Sequence, residues 1–216
     1  QIRISLPSPP DGTRQITGQI RRIWYLVSEP SKTLVHYSIS QDTPEKRLPL
    51  FLDAVCMAAA SPEALTAAIP ARLHFQGGKP VQFDLPTTDT ARDLLTKLLP
   101  LFGLAQTRPL PFWPRAAAGI LAPKSANGAA QNSVDELLEA CRENWEKDGM
   151  FGPPGEHVKP ATRLAFRGCP NPFRLQGEEP AAAFLPDPDQ PLAWRLAQFL
   201  RAWCVTAGFP LSKSDV

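Results

Sequence analysis

Apolar residues alternate with polar ones over parts of the first forty residues of this chain and recur mostly at helical intervals after that. Ile16, Ile20, Trp24 and Leu26 fall on one strand parity, after a turn signal at Asp11-Gly12 and before a second turn over 28–32. Val35, Tyr37 and Ile39 alternate again, which predicts two neighbouring antiparallel strands. Leu48, Phe51, Leu52, Val55 and Ala59 predict a helix over about 47–60. Ser61-Pro62-Glu63 closes that helix and caps a short second one. The segments 72–75 and 81–85 flank Gly77-Gly78 as a β-hairpin. After Thr88-Asp89, Ala91, Leu94, Leu95, Leu98 and Leu99 make one helix face, which Pro100 ends or bends.

The second half is interrupted more often. Residues 107–129 form a connection rich in Pro and Ala that contains Pro109-Leu110-Pro111-Phe112-Trp113-Pro114. Ser133 with Glu136 three residues on is a capping box, and the helix behind it runs to about 147 with Val134, Leu137, Leu138, Cys141 and Trp145 inward. A loop over 149–160, a strand over 162–166 and a turn-rich stretch over 168–190 follow. The last helix starts near 189 and carries Leu192, Leu196, Phe199, Leu200 and Trp203. Strands and helices mix without regular alternation, so the fold class reads as α+β or mixed α/β.

Composition narrows the classes. The chain is 43% hydrophobic, enough for a buried core, and its 25 prolines against 13 glycines punctuate the connections. A net charge of +2 permits contact with nucleic acid without demanding it. Cys56, Cys141, Cys169 and Cys204 include no close pair and read as buried thiols of a reducing cytoplasm, while His36, His74 and His157 show no ligand spacing. No metal or other cofactor is therefore expected. The apolar run over 48–60 is broken by Asp53 and too short to cross a bilayer, so no membrane contact is expected. The chain begins at Gln1 rather than Met and reads as a segment of a longer protein. Phosphate-loop, dinucleotide, metalloprotease and nucleophile-elbow motifs are missing from it, so no small-molecule substrate is expected.

One stretch carries chemistry by what it lacks. Gly18-Gln19-Ile20-Arg21-Arg22-Ile23, with Leu34-Val35-His36-Tyr37-Ser38, reads like the metal-binding hairpin of a nuclease with its acids removed. A working site of that kind has Asp in a Gly-x-Ile-Asp-Arg-Ile pattern, and an acid and a lysine in a Val-Asp-Tyr-Lys pattern. Here the acid positions hold Arg21 and His36, and the lysine position holds Ser38. Phosphodiester hydrolysis with Mg²⁺ needs oxygen ligands on the ion. A cation in their place reverses the sign of an interaction of roughly 4 kcal/mol per pair of unit charges at about 4 Å. Two other readings stand beside this one. Arg21 and Arg22 can be an ordinary exposed β face, or Glu29, Asp42, Glu45 and Asp53 can supply relocated carboxylates for an active nuclease.

From about 14 to 168 the chain resembles the C-terminal region of the RecC family, the gamma subunit of exodeoxyribonuclease V. The residues that carry the resemblance are the Leu-rich segment 91–102, Gly103-Leu104, Pro109-Leu110-Pro111-Phe112, the helix with Trp145, and Arg163-Leu164-Ala165-Phe166-Arg167-Gly168. Asp53-Ala54 depart from the His-Leu pair usual in that family, and the tail after 170 matches loosely. The resemblance implies a restriction-endonuclease-like core, a mixed β-sheet flanked by helices, in a catalytically degenerate form. It implies one domain over 1–216, with a nuclease-like core at about 14–168 and a helical extension at about 189–207. It further implies a non-catalytic module of a cytoplasmic helicase–nuclease, with RecB-like and RecD-like subunits and duplex or splayed DNA as partners.

On that implication Arg21, Arg22, Lys46 and Arg47 are candidate phosphate contacts, since cations neutralise the DNA backbone without reading sequence. Phe112 and Trp113 are candidates for a partner-docking tip, a stacking platform or a core anchor. Trp194, Arg195 and Arg201 face DNA or a partner, or form a solvated flank. A module that only binds protein is the remaining alternative.

Overall fold

The computed structural model describes residues 2–8, 12–19, 23–25, 32–38, 44–60, 70–75, 79–114, 116–121, 133–146, 156–177 and 182–209. The chain divides into two compact units, one of Gln1–Leu101 with Trp203–Val216 and the other of Phe102–Ala202.

The first unit contains two sheets. Strands β1 (Ile2–Ser8) and β2 (Gly12–Gly18) pair antiparallel, with Ile4 opposite Ile16. Strands β3 (Ile23–Tyr25), β4 (Lys32–Ser38), β5 (Pro70–Phe75) and β6 (Val81–Asp84) form a second sheet in that order. The β4–β5 pair is parallel and its neighbours are antiparallel, so this sheet is mixed. A parallel pair cannot be closed by a tight turn. Helix α1 (Pro44–Ala60) lies in the crossover between β4 and β5 and packs on β1, β4 and β5.

The continuous strand expected through Ile16 and Trp24 is divided between the two sheets. β2 stops at Gly18 beside β1, and β3 begins at Ile23 beside β4. Burial accounts for the division: Ile4 and Leu6 of β1 are buried where β1 meets α1, whereas β2 is exposed apart from the half-buried Ile16. The pairing of β3 with β4, Ile23 opposite Leu34, matches the two antiparallel strands expected there. The 72–75 and 81–85 hairpin is present as β5 and β6, with Leu73 opposite Val81. Ile20, Leu26, Ile39, the 61–63 helix start and Gly77-Gly78 lie outside the described residues.

Helix α1 starts three residues before the expected boundary, at Pro44, where a fixed φ and a missing N–H suit a first turn. Helix α2 (Thr88–Thr107) does not end at Pro100. A proline in a helix interior costs about 3 kcal/mol. Burial of Leu101 and Leu104 just beyond it offsets that, at roughly 1.5–3 kcal/mol for each fully buried side chain. An aromatic cluster ties the C-terminal segment into the first unit. Phe51 stacks on Phe209 with centroids 4.5 Å apart and meets Trp203 edge-on at 4.6 Å, while Phe83 meets Phe209 at 4.8 Å. Trp203 Nε1 donates to the Leu94 carbonyl at 2.8 Å.

In the second unit α3 (Ala118–Leu121), α4 (Val134–Glu146) and the first part of α6 (Leu192–Thr206) surround Ile120, Leu138, Cys141, Trp145, Phe173 and Ala197. The capping box is formed in both directions. Glu136 N–H donates to Ser133 Oγ at 3.2 Å, and Ser133 N–H donates to Glu136 Oε2 at 2.9 Å. The strand expected over 162–166 is a short helix, α5 (Pro160–Ala165). Pro160 presets its first turn, and the Arg163 and Phe166 N–H groups donate to the carbonyls four residues back, Lys159 at 2.9 Å and Thr162 at 3.0 Å. Leu164, in the middle of the expected strand, is 76% exposed and contributes no buried face. The last helix begins at Leu192 rather than near 189, because a turn with Gln190 N–H on the Asp187 carbonyl precedes it.

Candidate nucleic-acid interface

His36 and Ser38 lie two apart on β4, paired in register with Leu73 and Phe75 of β5. Their strand is therefore internal to the mixed sheet, between β3 and β5. Arg21 and Arg22 lie outside the described residues, as do Glu29 and Asp42. Glu45 and Asp53 both fall on α1. Among the described residues no three His, Cys, Asp or Glu side chains gather in a metal-binding arrangement.

The cations proposed for phosphate contact separate by burial. Lys46 is exposed on α1. Arg47 is 1% exposed, so its guanidinium presents no surface to a DNA backbone, and the expectation of a phosphate contact there is corrected. Arg195 requires the same correction. At 0% exposed it faces neither DNA nor solvent, because its side chain organises the 182–186 segment. Nε donates to the Pro186 carbonyl at 2.9 Å, and one terminal nitrogen donates to the Ala182 and Leu185 carbonyls at 2.8 and 3.1 Å. Three converging main-chain oxygens need a donor fork of this kind, which arginine has. Arg201 is half-buried, and the half-buried Trp194 packs on the core of the second unit with Nε1 3.4 Å from Asp187 Oδ2.

Phe112 and Trp113 both pack against that core. The Trp113 ring lies 5.6 Å from Trp145, 5.0 Å from Phe166 and 5.5 Å from Phe173. These are aromatic-pair distances that stabilise packing beyond area alone.

Beside this aromatic group an open cleft of about 500 Å³ is lined by the end of α4, the turn at 156–158, α5 and the residues after it. His157 Nδ1 lies 3.1 Å from the Trp145 carbonyl. A carbonyl only accepts, so Nδ1 carries the hydrogen, and Nε2 of the neutral ring is an acceptor. Trp145 is 8% exposed, and its indole N–H has no hydrogen-bond partner among the described residues. Arg163 and Arg167 line the cleft and are exposed. Glu146 also lines it, but Arg142 holds that carboxylate at 2.8 Å, so among the described residues lining the cleft the two arginines carry the unengaged charge. Arg142 also hydrogen-bonds Glu139, which lowers the Glu139 carboxyl pKa from its ordinary value. In the sequence these residues give no site signal beyond two arginines four apart with an aromatic between them.

Burial disfavours the nucleophilic thiolate at three of the cysteines. Burial raises the Cys56 pKa to about 11, with Asp53 adding to it, and raises Cys141 to about 12. Cys204 is raised further by the same cause. Among the described residues no helix is long and apolar enough to cross a membrane.

Compared with known proteins, residues 1–124 match the family model of the RecC C-terminal domain. The match begins before the resemblance read from the residues and stops short of its end at 168. No curated protein matches the chain.

Proposed function

This chain belongs to the RecC C-terminal domain family, and from that premise we propose that it is a non-catalytic scaffold and DNA-guiding domain of a RecBCD-type helicase–nuclease. Its partners are RecB-like and RecD-like subunits and the DNA end that the complex processes. The observation that carries this reading is the family match over 1–124, a span in which Arg21, His36 and Ser38 stand where a nuclease hairpin has two acids and a lysine. We read the mixed sheet and α1 as the remnant of a restriction-endonuclease-like core, in a single domain over 1–216.

The physical basis is electrostatic. A divalent ion is held by converging carboxylates, and a guanidinium in one of their places repels it. The same positive charge attracts a phosphodiester backbone. Arg21, Arg22 and the exposed Lys46 are the residues assigned to that contact.

The test uses the chain with Mn²⁺ and an end-labelled duplex. No cleavage is expected, together with salt-sensitive retention of the duplex that weakens on Arg21→Ala plus Arg22→Ala. Cleavage by the chain alone, abolished by a chelator, overturns the non-catalytic reading. Absence of duplex binding at low salt favours a module that only binds protein, and failure to join RecB-like and RecD-like subunits removes the scaffold role.

A further inference from the structure

We propose that the cleft in the second unit accepts one unpaired nucleotide of single-stranded DNA. This deepens the DNA-guiding reading above and rests on it, but the residues involved lie beyond the 1–124 span that matches the family.

Four observations converge. The cleft holds about 500 Å³, within the range of small-molecule sites and ample for a base with its sugar. The half-buried aromatic side chains of Phe166 and His157 line its wall, and base–aromatic stacking tolerates any sequence because every base has a π-face. Arg163 and Arg167 are exposed cations at the same cleft, where flanking phosphates would lie, and the one carboxylate lining it among the described residues, Glu146, is engaged by Arg142. The polar groups are of both kinds. The exposed Arg163 and Arg167 are donors, and His157, whose Nδ1 is taken by the Trp145 carbonyl, offers an acceptor at Nε2. A nucleobase edge carries both acceptors and donors, whereas an inorganic anion would use only the donors.

A duplex does not fit this arrangement, since its bases are stacked inside and offer the protein no free face. The occupant is thus a displaced or terminal nucleotide, its ring against Phe166 and His157 and its phosphates on Arg163 and Arg167.

The experiment measures fluorescence anisotropy of the full chain with three labelled probes of equal length: oligo(dT), an abasic strand of the same charge, and a blunt duplex. Oligo(dT) is expected to bind at least about fivefold more tightly than the abasic strand, as loss of one stacked base implies. Arg163→Ala plus Arg167→Ala should weaken oligo(dT) binding and flatten its salt slope by about 1.4, roughly 0.7 per phosphate contact on a single strand. Both arginines are exposed, so this variant is expected to fold, and its melting temperature checks that. Phe166→Leu should remove the preference for oligo(dT) over the abasic strand. Equal binding of oligo(dT) and the abasic strand overturns the proposal, as does oligo(dT) binding indifferent to Arg163 and Arg167. If in that case the duplex still binds through Arg21 and Arg22, only the cleft assignment has failed. Binding of neither strand nor duplex overturns both readings, and oligo(dT) binding through the cleft without duplex binding overturns only the first.

Discussion

Gly177 lies directly against Arg195. A Cβ on Gly177 would stand 2.7 Å from a terminal guanidinium nitrogen of Arg195 and 3.1 Å from the Ala182 Cβ. The end of an arginine usually swings aside, but this one is fixed by its bonds to the carbonyls of residues 182, 185 and 186. Gly177→Ala should therefore destabilise the fold by about 1–3 kcal/mol, the ordinary cost of overpacking. Urea denaturation at neutral pH checks it.

Arg195→Leu removes the donors and leaves the buried Ala182 and Leu185 carbonyls, and that of Pro186, without them. The expected loss is about 2–4 kcal/mol, since each stranded polar group costs about 1–3 kcal/mol before relaxation. Arg195→Lys should recover only part, because a single ammonium does not reproduce a planar fork. The same denaturation series gives the ordering wild type, Lys, Leu.

Lys46 and Arg47 are chain neighbours with opposite expected phenotypes. Lys46→Ala should leave the melting temperature within error and reduce duplex affinity, because the side chain is exposed. Arg47→Ala should cost about 2–4 kcal/mol of stability, because its side chain is buried, and should not selectively weaken DNA binding in the folded fraction. Melting curves and anisotropy on the two variants separate the effects.

Ser133→Ala opens the capping box at the start of α4 and should cost about 1 kcal/mol. Ser133→Asp should restore most of it, since a carboxylate accepts from the same N–H and suits a helix N-terminus. Thermal midpoints of the three proteins decide the matter.

Alkaline pH should weaken the fold through its thiols. Cys141 is raised from 9.0 to about 12 by burial, and Cys56 from 9.0 to about 11. The unfolded chain then loses thiol protons at lower pH than the native one, so stability is intact below about pH 9 and falls as pH rises towards 11 and 12. Cys141→Ala should flatten that decline in urea midpoints taken from pH 8 to 11. Native Cys141 should also resist thiol reagents at pH 8 that label the unfolded chain at once.

Short-range chemistry determined much of this protein within its sequence. The Ser133–Glu136 cap, the β5–β6 hairpin and the apolar faces of α1 and α2 all depend on residues a few positions apart, where side-chain type alone sets the preference. Tertiary structure decided the rest. It divided one apparent strand between two sheets, because β1 buries Ile4 and Leu6 and takes β2 as its partner. It carried α2 past Pro100 by burying Leu101 and Leu104. It turned Arg47 and Arg195 from surface charges into interior ones, and it set Trp145, His157, Arg163 and Arg167 around one cleft. Burial and convergence depend on what arrives from distant parts of the chain, and a local pattern of residues carries no record of that.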